Sequence, residues 1–481
     1  MKRLFTFIFG VTLLLVSVSA TAQDRDLKKE YEEFRNRARK QYNDFRDRAN
    51  AEYAEFMRKA WERYRVSPAI PIPPSPDPVE PPVFDPKTEP DNKPVPYEEI
   101  IPLPQPVPPP QPVAPLPPPP TPVKQMFPFL FYNTECKVGL ESGWKIRLSD
   151  LSEESISRAW TMLSDSRYNS VITDCLKLRR TLNLCDWAYI RLVREMSEKY
   201  YESSTSNEAV LFQMYILTQS GYKVRIAKTN SRLVLLIPSR NTIYEHSYLN
   251  IGGVKYYLAD QSLKDDTFHI FDHEFPKEQF ISLQLEQPSL TVSETSDKEF
   301  VSECYPEIKV CVRTNKNLID FFNSYPRTPE WNLYSEASIS NTLKDSLYPV
   351  LCNAVAGCSE TDAANRLINF VQTAFDYQTD GEQFGYERPL FGDELFYYPA
   401  SDCEDRSILY SILVRELLGL DVVLLHYPGH LATAVCFNED VEGDYLIIDD
   451  KKFTVCDPTY IGAPVGNAMT AFKDVEVIVI K

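Results

Sequence analysis

Apolar positions over residues 24–66 recur at a fixed interval. Tyr31, Tyr42, Tyr53 and Tyr64 lie 11 apart, as do Phe34, Phe45 and Phe56, and Ala38, Ala49 and Ala60. An 11-residue repeat, about 3.67 residues per turn, keeps one stripe on one helix face with little or right-handed supercoiling. Neither Pro nor Gly interrupts it, so the pattern predicts a charged helix over 23–66, roughly 60 Å long at about 1.5 Å per residue. Its stripe suits a helix partner or a cell-envelope surface, and its charges equally suit a solvated spacer. Over 67–128 the periodicity disappears, and 25 of the 38 prolines fall between Pro68 and Pro122. Proline fixes φ and lacks an N–H, which predicts an extended polyproline-II tether with a reach on the order of 170 Å. From Phe129 onward, strand-like runs alternate with amphipathic helices, giving an α+β expectation for the rest of the chain.

The globular part repeats itself. TSNEAVLFQMYIL (205–217) parallels SDCEDRSILYSIL (401–413): Thr205 or Ser401 is followed three residues later by Glu208 or Glu404, a capping-box pattern, and then by an apolar helix. KVRIA (223–227) parallels DVVLL (421–425), TNSRLVLLI (229–237) parallels YPGHLATAV (427–435), and GVKYYLADQS (253–262) parallels KKFTVCDPTY (451–460). Upstream, WAYIRLVREMSEKYY (187–201) parallels ANRLINFVQTAFDYQ (364–378). These five segments in one order predict two homologous units, 129–295 and 296–481.

Charge narrows the possible partners. The formal net charge is −17, and residues 67–481 are more acidic still, because the 23–66 segment and Lys2 and Arg3 carry net positive charge. Such a surface repels phosphate backbones, which argues against nucleic acid. The 10 Cys and 5 His show no zinc-type spacing, so no metal or other cofactor is expected. Residues 1–22 read as a signal peptide: Lys2 and Arg3, a short apolar run Leu4–Val18, then Ala20-Thr21-Ala22. No later apolar run reaches bilayer length, so an exported protein, periplasmic or extracellular, without an integral span is expected. An oxidising compartment permits disulfides. Cys304 with Cys311, Cys352 with Cys358, and Cys175 with Cys185 are near enough in sequence to pair.

The repeat also isolates the chemistry. Three polar positions of the second unit are Cys403, His430 and Asp457; their counterparts in the first are Asn207, Arg232 and Asp260. Cys403 falls on the first turn of its helix, where free N–H groups and the helix dipole favour a thiolate and can bind an oxyanion. His430 opens a strand and can act as base and then acid, and Asp457 closes a later strand and can hold the imidazole. Asn has no nucleophilic atom and Arg cannot accept a proton, so the first unit is expected to be an inert, degenerate site. His426 is a rival base, while His246, His269 and His273 read as surface residues. Cys436 and Cys456 read as small apolar fillers. Glu404 reads as the capping partner, and Asp405 and Arg406 as cleft-shaping residues or an ion pair.

The segments SDCEDRSILYSIL, YPGHLATAV and FTVCDPTY resemble the core of the transglutaminase-like superfamily, papain-related enzymes with a Cys-His-Asp triad. The resemblance is strong over 377–460 and extends through the degenerate copy to much of 187–262. It implies two tandem transglutaminase-like domains, the second catalytic, with Cys403 as nucleophile, His430 as base and Asp457 as its partner. Where the family often has glycine before the nucleophile, this chain has Asp402. The family's upstream oxyanion donor points to Tyr397, Tyr398 or Gln383. Members include peptidases, amidases and cross-linking acyltransferases. The expected activity is therefore a cysteine hydrolase or acyltransferase acting on amide bonds of a protein or peptide through a thioacyl intermediate, with peptidase or amidase favoured. The alternative is a non-catalytic envelope scaffold that uses both domains and the Pro-rich tether for binding.

Overall fold

The computed structural model describes residues 43–73, 81–88, 92–103, 110–111, 125–263 and 267–481, with scattered positions between 29 and 41. Residues 1–22, expected to be a signal peptide, and the start of the expected 23–66 helix lie outside the described residues. The described chain is mixed α+β, and its two six-stranded sheets share one strand order. The first runs Glu62–Arg65, Thr267–Phe271, Arg225–Lys228, Leu233–Ser239, Val254–Leu258, Tyr248–Ile251. The second runs Tyr97–Ile101, Val477–Ile480, Asp421–Tyr427, His430–Cys436, Lys451–Cys456, Tyr445–Ile448. Four strands of each sheet, from Arg225–Lys228 to Tyr248–Ile251 and from Asp421–Tyr427 to Tyr445–Ile448, correspond at the spacing that relates the repeated segments, whereas the outermost strands Glu62–Arg65 and Tyr97–Ile101 do not. All pairs are antiparallel except Tyr97–Ile101 with Val477–Ile480.

One helix of each repeat packs on its sheet: Asn207–Gln219 in the first, Cys403–Leu413 in the second. Both are buried nearly all round, because each is sandwiched between its sheet and other helices. Ser407 Oγ donates to the Leu431 carbonyl at 2.8 Å, tying the second helix to the strand that begins at His430. The two units share one hydrophobic core. Trp187 and Tyr325 meet across them at 6.4 Å, and Trp187 Nε1 donates to the Ser324 carbonyl at 3.2 Å.

The N-terminal segment departs from its expected form. The helix ends at residue 57 rather than 66, and Glu62–Arg65 becomes an edge strand against Thr267–Phe271. Trp61 turns back to donate to the Met57 carbonyl at 3.1 Å, so the last turn is capped and the chain leaves extended. Nor is the described part of the helix a solvated rod. Ala49, Tyr53, Ala54 and Met57 are buried, and Asn50 joins Gln219 and Trp160 in a buried hydrogen-bonded set. The stripe thus docks on the chain's own first unit at Ala49 and Tyr53, while Phe34 is exposed. Tyr53 lies 4.8 Å from both Trp160 and Phe271 and 5.2 Å from Phe275. Tyr53→Ala is expected to cost about 3–5 kcal/mol, as for other large aromatic deletions. A free helix would show almost no change in a urea titration.

The proline-rich stretch is a ligature rather than a free spacer where it is described. Ser67 and Ile70 bond to the first unit at Tyr248 and Glu245. Pro82 and Phe84 then pair with Ile461, and Lys93 and Val95 with Tyr445. Tyr97–Ile101 adds the edge strand of the second sheet. Residues 110–111 return to the first unit, where a Cβ on Gly221 (φ +95°) would sit 2.1 Å from the Gln111 carbonyl oxygen. Proline is tolerated at sheet edges because no N–H is needed on the open side. Among the described residues, no helix is long and apolar enough to cross a membrane.

Candidate active site

Cys403 is the first residue of its helix, with Asp402 as N-cap. The cap lies one residue later than the sequence pattern suggests: Asp402 and Asp405 form the capping box, not Ser401 and Glu404. In the first unit the cap is likewise Ser206, not Thr205, and its hydroxyl accepts from Ala209 N–H at 3.3 Å. Glu404 is thereby freed from capping, and its Oε2 lies 3.1 Å from Cys403 Sγ.

His430 is placed by a tight hairpin. Tyr427 and His430 pair directly across Pro428-Gly429, and Gly429 takes φ +72°, the left-handed conformation that the second position of a Pro-Gly turn requires. Asp457 follows immediately after Lys451–Cys456, on the neighbouring strand. His430 Nε2 and Asp457 Oδ2 are 2.9 Å apart, and the Cys403 thiol is close enough to the imidazole to act on its titration. The three residues that the sequence isolates therefore meet at one helix start, all buried. Burial pulls the His430 titration down, but the Asp457 carboxylate, its hydrogen bond and Cys403 outweigh it and push it up to about 10. An imidazolium is thus favoured beside the sulfur. Phe472 stacks on the His430 ring at 4.9 Å and 5°, fixing its plane.

The upstream oxyanion candidates are not brought to the sulfur by any described contact. The Gln383 amide is engaged with both backbone groups of Ala400, at 3.3 and 3.2 Å. Tyr398 donates to Asn323 at 2.9 Å, and Tyr397 stacks edge-on against Tyr398. The neighbour that sequence reasoning missed is Tyr377, whose strand Asp376–Tyr377 pairs with Ala400–Ser401 next to the helix cap. Burial, together with Cys403, Asp402 and Glu404, pushes its phenol up, so it stays a proton donor. Gln372 was also missed: its Nε2 reaches the carbonyls of Asp457, Tyr460 and Ala463 at 2.8–3.1 Å and so shapes the loop that carries Asp457. The signal for both is their place in the repeated segment 364–378.

Around the sulfur lies an acidic group that the spacing of the sequence does not disclose. Asp380, Asp402 and Glu404 are buried, and their oxygens all lie within 4.8 Å of one another. Asp402 Oδ1, Glu404 Oε1 and Glu387 Oε2 have no hydrogen-bond donor. Among the described residues this is the set able to hold a hard cation. Without one, burial and mutual repulsion raise Asp380, Asp402, Glu404 and Asp405 well above the usual carboxylate range, so the cluster holds protons. Arg406 stands beside it, fully buried, donating to the carbonyls of Gln372 and Phe375 and stacking on Tyr377.

The first unit keeps this geometry with other atoms. Asn207 begins its helix and accepts from Leu233 N–H at 2.7 Å, and Arg232 Nη2 donates to Asp260 Oδ2 at 2.7 Å where the second unit has His430 and Asp457. Burial raises the Asp260 carboxyl, but Ser262, Arg232 and Arg194 hold it below its ordinary range. An amide locked to a strand and an arginine locked to a carboxylate leave neither nucleophile nor base.

His426 lies away from this cluster, against Trp331 at 6.2 Å. His269 is exposed as expected, whereas His246 is half-buried and hydrogen-bonded to the Tyr244 carbonyl, and His273 stacks on Phe56 at 3.8 Å. All ten cysteines are free thiols, so none of the three pairs near in sequence is bonded. Comparison with family models, with curated proteins and with solved structures gives no significant match to this chain.

Proposed function

We propose that this chain is an exported cysteine hydrolase or acyltransferase of the transglutaminase-like type, acting on amide bonds of a peptide or protein. One observation carries the reading: Cys403 at a helix start, beside an imidazole that is held 2.9 Å from a buried carboxylate. The Cys403 sulfur attacks the amide carbonyl carbon, and a C–S bond forms. The first-turn N–H groups of the helix and the Tyr377 phenol are the donors available to the developing oxyanion. His430 gives its proton to the departing amine as the C–N bond breaks. Water then attacks the thioester carbon as His430 takes a proton from it, the C–S bond breaks to return the Cys403 thiolate, and the acid is released. An amine in place of water gives acyl transfer. The buried surroundings favour hydrolysis of a short, extended peptide that can reach the sulfur.

The test is Cys403→Ala, assayed for peptide amide hydrolysis and for labelling by iodoacetamide at pH 6, where ordinary thiols are scarcely ionised. Both are expected to vanish, while the exposed Cys304, Cys311 and Cys352 still label at higher pH. Retention of full hydrolytic activity in the variant overturns the assignment.

A further inference from the structure

A second site lies away from Cys403. A cavity of about 220 Å³ opens between the first unit and the segment 323–327 of the second. Its lining carries three guanidinium groups, Arg191, Arg194 and Arg327, against one carboxylate, Glu245. The lining also carries an apolar set, Trp187, Ile190, Leu235 and Ile243. Two of the arginines are engaged: Arg194 donates to Glu198 at 2.7 Å and to the Ala259 carbonyl at 3.1 Å, and Arg327 to Glu245 and the Tyr386 hydroxyl. Arg191 is not fully engaged. It touches Tyr132 and is paired with Glu195 only at 3.5 Å. A planar two-oxygen anion matches a guanidinium fork in one contact.

We propose that this cavity binds a carboxylate carried on an aliphatic stem, the C-terminal residue of a peptide, with Arg191 on the carboxylate and the Trp187–Leu235 wall on the side chain. The volume suits one terminal residue rather than a folded partner, and the pairing of a cationic end with an apolar wall is the shape of such a chain end. Asn323 closes the cavity from the second unit and accepts from Arg388 at 2.8 Å and Tyr398 at 2.9 Å, so a bound chain end bridges the two units. The site stands apart from the catalytic reading: no member of the Cys403 cluster lines it.

Calorimetric titration of the full chain with N-acetyl-L-leucine and with N-acetyl-L-leucinamide tests this. For a ligand of that size a Kd on the order of 1 mM is expected. The acid should bind at least tenfold more tightly than the amide. Arg191→Gln should weaken the acid at least tenfold and leave the amide unchanged, Arg191→Lys should restore part of the loss, and labelling of Cys403 should not change in either variant. Equal binding of acid and amide, or unchanged binding of the acid to Arg191→Gln, overturns the proposal. Inorganic phosphate binding as tightly as the acid also overturns it, because the apolar wall would then contribute nothing.

Discussion

Converting Asp457 to asparagine is expected to drop the His430 titration from about 10 toward its ordinary 6.5 and to lower kcat/KM on a peptide amide by roughly 10⁴-fold. The second figure is the cost of the equivalent change in a Ser-His-Asp site. Among the groups that raise His430, Asp457 acts both by charge and by hydrogen bond, against the opposing effect of burial. Asparagine keeps the size but not the charge, so burial prevails and the ring stays neutral at pH 7. A neutral ring cannot deliver a proton to the departing amine, and the alkaline limb of the pH–rate profile moves to lower pH. The imidazole Cε1–H chemical shift, followed from pH 5 to 11, reads the same change without substrate. An imidazole that titrates identically in Asp457→Asn and the parent chain refutes the role of Asp457 in the triad.

The second large effect concerns stability. An unfolded aspartate loses its proton near pH 3.9, whereas folded Asp380 is pushed up to about 9 by burial and by Asp402. Between those values the native state binds more protons than the unfolded chain. Its free energy of unfolding therefore falls as pH rises, by up to about 1.4 kcal/mol per unit for each extra proton held. From pH 5 to 8 that amounts to at most about 4 kcal/mol from this one group. His430 adds to the same slope: its folded value is raised, so its contribution is complete below about 6.5 and fades toward 10. Urea titrations in EDTA, so that no cation occupies the carboxylates, should show this decline, and Asp380→Asn should flatten much of it and be the more stable chain at pH 8. A parent chain equally stable at both pH values would refute the protonated cluster.

The parts legible in the sequence were those carried by local pattern. A helix start after Asp402, a Pro-Gly turn before His430 and a strand end before Pro458 are each written within a few residues, and together they bring Cys403, His430 and Asp457 to one place. The matching segments likewise align with the matching strand order of the two sheets. The cap was misplaced by one residue because Ser401 and Asp402 are both good N-caps, and only the backbone path decides between them. What stayed hidden depends on distant partners. Nothing in ERYR (62–65) marks a strand until Thr267–Phe271 is beside it, and nothing in a proline tract marks an edge strand until Val477–Ile480 offers its open side. The acidic cluster was invisible for the same reason: Asp380 and Glu387 are remote from Cys403 in the chain and adjacent only in space.

The pairing of Tyr97–Ile101 with Val477–Ile480 sets a clock on maturation. The earlier strand leaves the ribosome about 380 residues before its mate, and closing so wide a loop comes late in folding. Until then the sheet that carries His430 has an open border, and the thiol, made in between, waits in an unfinished cradle. The Cys403 site should therefore be completed only after Val477–Ile480 has emerged and paired with Tyr97–Ile101.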